Sequence, residues 1–253
     1  MAGMDPDTRT LGTWLSEANT AVFFGGAGMS TESGIPDFRS STGLYTTRQG
    51  TRFPPEYMLS HTCYERYPED FFAFYRSAML HPEARPNPGH EALARLEELG
   101  HLSAVVTQNI DGLHQAAGSR EVVELHGSVH RNTCQTCGEN HDLAAFLELG
   151  VPPRCPRDGG IVKPDVVLYE EPLDEDAIER AVEAIAASDV LIVGGTSLNV
   201  YPAAGLVQYH SGGRLAVVNM APTPWDDRAD LVISAPLGRV LTDALSVVET
   251  LSA

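Results

Sequence analysis

The run Ala21-Val22-Phe23-Phe24-Gly25-Gly26-Ala27-Gly28-Met29-Ser30-Thr31-Glu32-Ser33-Gly34-Ile35-Pro36-Asp37-Phe38-Arg39 governs how the rest of this 253-residue chain is read. Residues 21–24 are apolar and meet glycines at once, the pattern of a short buried strand. Gly25, Gly26 and Gly28 let the backbone turn tightly and bring bare N–H groups close to a ligand. A helix starting near Ala27 would add its dipole and its free N–H groups, which predicts an anion site suited to pyrophosphate. The spacing departs from a full dinucleotide fingerprint. Gly26-x-Gly28 is present, but Thr31 holds the third glycine position and no acidic residue stands about 20 residues on. Up to this point an ordinary strand, turn and helix reads as well as a binding site. Residues 34–39 are more particular, because they set a carboxylate, an aromatic ring and a guanidinium directly after the turn.

Working outward, Leu11, Trp14, Leu15 and Ala18 fall at helical spacing before the strand. Residues 40–55 are rich in Ser, Thr, Gly and Pro, and form either a cover over a ligand or an ordinary surface loop. A helix opening at Pro68 carries Phe71, Phe72, Phe74, Tyr75 and Met79, read as core or pocket lining. Ala92, Leu93, Leu96 and Leu99 mark another helix, stopped by Gly100. A second strand, residues 102–106, runs into Thr107-Gln108-Asn109-Ile110-Asp111, and a third, 121–125, ends at His126-Gly127. Open parallel sheets bind ligands beyond the carboxyl ends of their strands, so these polar groups are site candidates. Asn109 or Asp111 could instead cap a helix. His126 titrates in the range suited to a general base.

The chain then changes character. Residues 128–164 show little periodicity beyond a short helix at 143–149. They hold Cys134-x-x-Cys137, then 17 residues, then Cys155, with Asp158 where a fourth thiol would complete a zinc ribbon. One structural zinc on Cys134, Cys137, Cys155 and Asp158 is expected, with His130, His141 and Asp142 as rival fourth ligands and a metal-free hairpin as the alternative. After an extended run within 161–169, strand and helix alternate again. Strands at 190–193, 215–218 and 231–233 end near Thr196-Ser197, at Asn219 and before a terminal helix. This alternation predicts an α/β fold with a doubly wound, Rossmann-like parallel sheet. The sheet domain spans 1–127 and 165–253, with a helical insertion at about 41–90 and a small zinc-binding module at 128–164.

Seventeen basic and 34 acidic residues give 17 − 34 = −17. That charge disfavours nucleic acid and anionic lipid, and either attracts cationic peptides or serves solubility. Four cysteines are too few for a disulfide framework in a chain this long. No run approaches 18 apolar residues and the N-terminus lacks a signal pattern, so a cytoplasmic monomer without membrane contact is expected.

Several of these motifs, in order, resemble those of the sirtuins, NAD-dependent protein lysine deacylases, in their bacterial type. They are residues 26–30 with 34–39, Thr107-Gln108-Asn109-Ile110-Asp111, Glu124-Leu125-His126-Gly127, Lys163-Pro164-Asp165-Val166-Val167, Gly195-Thr196-Ser197-Leu198 with Val200-Tyr201-Pro202-Ala203-Ala204, and Val217-Val218-Asn219. The likeness runs from about Leu11 to the terminal helix. It implies NAD as cofactor, held by Ala27, Gly28, Ser30, Thr31, Arg39, Ile110, Thr196, Ser197 and Asn219. Ile35 and Asp37 would bind the nicotinamide amide, and Phe38 would shield the ribose. Gln108, Asn109 and Asp111 would position the ribose and a water, Asn109 and Asp111 being catalytic along with His126, the base. Acyl-lysine peptides would add as a strand between residues 167–171 and 198–200. The implied products are free lysine, nicotinamide and acyl-ADP-ribose.

Four places depart from the family pattern or bear on substrate. Gly25 stands where many members carry threonine, Glu170-Glu171 replaces a Gly-Glu pair, and Asp158 replaces a zinc cysteine. Members that act on acidic acyl groups carry Tyr-x-x-Arg on the helix after the cofactor loop. Here Ala73 precedes Arg76 at that spacing, and Tyr45-x-x-Arg48 lies in the loop, so neutral acyl groups, acetyl or somewhat longer, are expected. Transfer of ADP-ribose to protein, or NAD sensing without catalysis, are the competing readings. An oxidoreductase fits less well, for want of the third glycine and the acidic ribose ligand.

Overall fold

A computed structural model describes residues 4–40, 43–47 and 51–252. Its first elements are α1 (Pro6–Glu17), capped by the Asp5 carboxylate on the Thr8 N–H at 3.0 Å, and β1 (Ala21–Gly25). All five residues of β1 are buried, as befits a strand covered on both faces. Side chains alternate across a strand. Phe23 therefore joins one apolar cluster and Phe24 another on the opposite face.

Between β1 and the second strand come α2 (Leu44–Thr47), α3 (Pro55–Met58), α4 (His61–Arg66), α5 (Pro68–Ala78) and α6 (Pro88–Glu98). Then follow β2 (Ala104–Thr107), α7 (Leu113–Ala117), β3 (Val122–Glu124), β4 (Gly127–Cys134), β5 (Asn140–His141), α8 (Leu143–Glu148) and β6 (Val162–Val166). The chain closes with α9 (Glu175–Ala187), β7 (Val190–Gly194), β8 (Arg214–Val218), β9 (Leu231–Ile233) and α10 (Leu237–Leu251).

Six strands form one parallel sheet in the order β3-β2-β1-β7-β8-β9. Helices α1, α6 and α10 pack together on the Phe23 face, and α9 covers the Phe24 face. This is the expected doubly wound architecture. The strand order reverses between β1 and β7, and a crevice opens at such a switch point beyond the carboxyl ends.

Two expectations are corrected. No α-helix starts near Ala27: the segment makes two short 3-10 turns, Ala27–Met29 and Thr31–Ser33. A helix dipole therefore does not act there, and any anion must be held by individual N–H groups. The extended run expected at 161–169 does not rejoin the large sheet. Its β6 pairs antiparallel with β4, and β5 pairs with the other edge of β4 in a separate three-stranded sheet. That small sheet shares one apolar cluster with the helical insertion, where Phe71, Phe72 and Tyr75 meet Phe146, Cys134, Cys155 and Val162. The insertion and the cysteine segment are thus packed as one unit beside the large sheet. No helix among the described residues is long and apolar enough to cross a membrane.

Candidate functional site

Between the carboxyl ends of the large sheet and the smaller unit lies a cavity of about 920 Å³. All the residues expected to bind the cofactor or take part in catalysis line it: Ala27, Gly28, Ser30, Thr31, Ile35, Asp37, Phe38, Arg39, Gln108, Asn109, Ile110, Asp111, His126, Thr196, Ser197 and Asn219.

The floor is made by two glycine turns, one after β1 and one after β7. The Gly28 N–H donates to the Gly195 carbonyl at 2.8 Å, and a Cβ on Gly28 would stand 2.7 Å from the Gly195 Cα. Gly195 itself has φ +61°, which favours glycine. The turns therefore pack backbone against backbone and leave a concave surface that a diphosphate can approach. Asn87, buried at the start of α6, ties this floor to that helix: its Nδ2 donates to the Met29 carbonyl at 2.8 Å and to Ser33 Oγ at 3.0 Å.

Above the floor runs a polar chain. Buried Ser30 donates from Oγ to Asp111 Oδ2 at 2.6 Å and accepts from Asn109 Nδ2 at 3.0 Å. The other oxygen of Asp111 accepts from the Leu113 N–H at 2.9 Å. Asp111 is not the N-cap of α7, which is Gly112, but one of its oxygens takes the N–H of the helix's first residue while the other faces Ser30. Gln108 Nε2 donates to Thr196 Oγ1 at 3.1 Å, linking the ends of β2 and β7. Asp37 accepts the Ser40 N–H at 2.9 Å, Phe38 packs edge-on to Tyr45, and the Arg39 guanidinium lies over the same ring.

His126 is bonded through Nδ1 to the Gln108 carbonyl at 2.9 Å. A carbonyl can only accept, so Nδ1 carries the proton and Nε2 offers a lone pair. Burial holds the imidazole below its ordinary range, against the opposing pull of the carbonyl bond, so the ring is neutral at pH 7. This is the state a general base needs.

The far end of the cavity is apolar, walled by Leu44, Leu59, Ala78, Met79, Val129, Leu143 and Leu168 with the Tyr75 ring. Arg76 takes no part. Its guanidinium donates to the carbonyls of Phe146 at 2.9 Å and Leu149 at 2.7 Å. Of the loop pair, Tyr45 lies in α2, and Arg48 is outside the described residues.

The segment after β6 forms one rim. The Val167 N–H donates to the His126 carbonyl at 2.9 Å, and the Tyr169 N–H to the Leu59 carbonyl at 3.1 Å. Glu170, which replaces a glycine of the family pattern, has φ +76°. Its carboxylate accepts from the Thr62 N–H at 2.9 Å and from Thr62 Oγ1 at 2.6 Å. The left-handed conformation is therefore kept without glycine, because the side chain is anchored to the first turn of α4.

Cys134, Cys137, Cys155 and Asp158 bring their donor atoms within 4.8 Å of one another. Cys134 Sγ lies 3.4 Å from Asp158 Oδ1, and the Cys137 and Cys155 sulfurs are 3.9 Å apart. Tetrahedral zinc with bonds of ~2.3 Å to sulfur spaces its ligands by roughly 3.8 Å, so the set fits zinc. A Cβ on Gly160 would lie 2.8 Å from Cys134 Sγ, so a bare backbone makes the room. Two rivals are removed. His130 donates to the Asp111 carbonyl at 3.0 Å and lines the cavity, and Asp142 caps α8 through the Ala145 N–H at 2.8 Å. His141 instead groups with Glu139 and Cys155.

Sequence reasoning passed over His81, Arg85, Met220 and Leu237, which also line the cavity. Leu237 follows the end of β9, so the rule of strand carboxyl ends would have found it. The segment around His81 and Arg85 carries no such signal.

The Sir2 family model matches residues 26–202. A protein of Cutibacterium acnes named NAD-dependent protein deacetylase is 56% identical over 232 residues, 92% of this chain and 95% of its own. One of the same name from Clostridium acetobutylicum is 56% identical, over 90% of this chain and 93% of its own. Among solved structures, a Sir2 enzyme at 40% identity superposes with a TM-score of 0.88 over 98% of this chain and all of its own. A Sir2 protein bound to a myristoylated histone peptide gives 0.82 at 36% identity, over 98% of this chain and 99% of its own. With the glycine floor, the Ser30–Asn109–Asp111 chain and His126 meeting in one cavity, this chain belongs to the Sir2 family.

Proposed function

We propose that the protein removes acyl groups from lysine side chains of peptides in an NAD-dependent reaction, releasing nicotinamide and acyl-ADP-ribose. NAD, when bound, supplies an electrophilic anomeric carbon, and the acyl oxygen of the substrate is a weak nucleophile. The protein's task is therefore alignment and proton handling more than strong base catalysis. The turns at Gly28 and Gly195 hold the diphosphate, with Ala27, Thr31, Arg39, Thr196, Ser197 and Asn219 around it. Ile35, Asp37 and Ile110 face the nicotinamide end, and Phe38 shields the ribose. Ser30, Asn109 and Asp111 form a bonded chain that fixes the ribose, and Gln108 holds both Thr196 and, through its carbonyl, His126. His126 takes a proton at Nε2 from a ribose hydroxyl.

The peptide lies between residues 167–171 and 198–200, with the acyl-lysine reaching the apolar end. Zinc on Cys134, Cys137, Cys155 and Asp158 would hold the small sheet together, away from the chemistry. One chain supplies all of these groups, which supports a monomeric enzyme.

The observation that carries this reading is the neutral His126, its free ring nitrogen sharing one cavity with the glycine floor. The test is an acetyl-lysine peptide incubated with and without NAD, followed by mass spectrometry. NAD-dependent appearance of lysine peptide with acetyl-ADP-ribose is expected. ADP-ribosylated protein without deacetylated peptide would replace the reading with a transferase, and NAD binding without turnover would replace it with a sensor.

A further inference from the structure

Beside the zinc set stands a second group of donors, which shares one member with it. A ring nitrogen of His141, a carboxylate oxygen of Glu139 and the Cys155 sulfur lie within 4.8 Å of one another. Cys155 Sγ is 3.5 Å from Glu139 Oε2. A tetrahedral ion with bonds of ~2.3 Å to sulfur and about 2.1 Å to oxygen would space those two donors by roughly 3.6 Å. Strand geometry explains the grouping. The Glu139 carbonyl accepts the Cys134 N–H at 2.9 Å just before β5, and His141 within β5 is paired with Asn132 of β4. Side chains two apart on a strand share a face, so Glu139 and His141 are presented together to the turn that carries Cys155.

Two observations set this group apart from a chance meeting of polar side chains. His141 Nε2 is closed to solvent and has no hydrogen-bond partner among the described residues. Buried polar atoms are nearly always paired, and a neutral imidazole is the commonest metal ligand. The second observation is charge. Cys134, Cys137 and Cys155 as thiolates, with the Asp158 carboxylate, carry four negative charges, and one zinc cancels half of that. Glu139 adds another, and among the described residues its carboxylate meets the Cys155 thiol rather than a Lys or Arg. Cys155 is 2% exposed and Cys134 1%, so this excess sits where charge must be paired or bound to metal.

We propose that the chain holds a second divalent ion on His141, Glu139 and Cys155, with the Cys155 thiolate bridging the two metals. The inference rests on the zinc centre proposed above and adds a neighbour to it. A thiolate, an imidazole and a carboxylate form a mixed set that suits a borderline ion such as zinc, and a thiolate sulfur has lone pairs for two metals. Three protein ligands leave one tetrahedral position to water, so the second ion is the more weakly held of the two. Its work is to tie β5 to the Cys155 turn. A strand of two residues, Asn140–His141, has little hold of its own.

The experiment loads the folded full chain with zinc, removes the excess by desalting, and reads bound metal by elemental analysis. Zinc is then exchanged for spin-active cadmium by dialysis, and the cadmium NMR spectrum is recorded. Two equivalents of zinc are expected, one of them leaving first under a weak chelator. Two cadmium signals should appear, one from the thiolate-rich centre and one from the mixed set, split by coupling through the shared sulfur. His141→Phe and Glu139→Gln should each lose one equivalent, one signal and the splitting, while the thiolate-rich signal stays. Glu139 is exposed, so its variant serves if His141→Phe does not fold. One equivalent in the wild type, two signals without mutual splitting, or a second equivalent that survives both substitutions (an adventitious ion only) overturns the proposal. Loss of all metal from a folded His141→Phe, checked by circular dichroism, overturns it too, by making His141 the fourth ligand of a single centre. No zinc in the wild type sinks the first centre together with this inference, whereas one equivalent sinks this inference alone.

Discussion

Beneath the cofactor floor, His90 on α6 and His114 on α7 are packed ring to ring, with centroids 4.8 Å apart, and are 0% and 1% exposed. Three of their four ring nitrogens have no partner among the described residues; the fourth, His90 Nδ1, accepts the Asn87 N–H at 3.3 Å. Burial lowers His90 from 6.5 to about 4, against the opposing pull of Asp111. Burial, then the neighbouring His90, lowers His114 to about 3. The sign follows from linkage: the unfolded chain binds protons near pH 6.5 and the folded chain does not, so stability falls as pH drops below 6.5. At pH 5 each histidine has lost 1.5 units of that window, about 2 kcal/mol, and the pair about 4 kcal/mol. In a chain of this size that is a fall of roughly 8–16 °C in Tm. His61 works the other way, because the Glu171 carboxylate raises it, and it gives back a little stability over the same range. Urea unfolding at pH 7.5, 6 and 5 should show the decline. The double variant His90→Gln with His114→Leu should reduce it to the part that His126, also lowered by burial, still contributes, since glutamine keeps the capping-box acceptor without titrating. An unchanged slope in that variant would refute the assignment.

His126→Ala should lower deacylation by ~10²–10⁴ while NAD still binds, as read by calorimetry. Because burial keeps His126 below 6.5, the acid limb of the wild-type rate should lie below that value, with a plateau through neutrality; a limb above 6.5 would show that another group is titrating. Asp158→Ala should lose zinc and thermal stability while Asp158→Cys retains both, by metal analysis and melting. Full zinc in the alanine variant would hand the fourth ligand to Glu139 or His141. At Glu170, alanine keeps the left-handed strain and loses both bonds to Thr62, whereas glycine loses the bonds and the strain together. The Tm of Glu170→Ala should therefore lie below that of Glu170→Gly, and equal values would show that the left-handed conformation is not kept under strain once the Thr62 bonds are gone.

What could be read beforehand was whatever is local in sequence. Apolar runs stopped by glycine gave β1 and β7, and polar residues just past strand ends gave Gln108, Asn109, Asp111 and His126, because a parallel sheet sends those ends to one crevice. The elements that were missed depend on contacts far apart in the chain. β4 has no alternation to detect, since its exposed residues fall where β5 and β6 do not cover it and the register shifts between Gly127 and Asn132. Phe72 and Tyr75 pack on Phe146, about seventy residues on, so no window could join the helical insertion to the cysteine segment.

Glu170 is the sharpest case. As a non-glycine at a family glycine position it puts the local backbone in doubt, and only the position of Thr62, 108 residues earlier, shows that the conformation survives. The two carboxylates of this rim then have separate tasks. Glu170 anchors to α4, while Glu171 accepts the Leu168 N–H at 2.8 Å and binds His61 and Lys163. Both carboxylates are thus committed to holding the rim, one to α4 and one to the segment's own backbone, so the rim keeps its shape without a glycine.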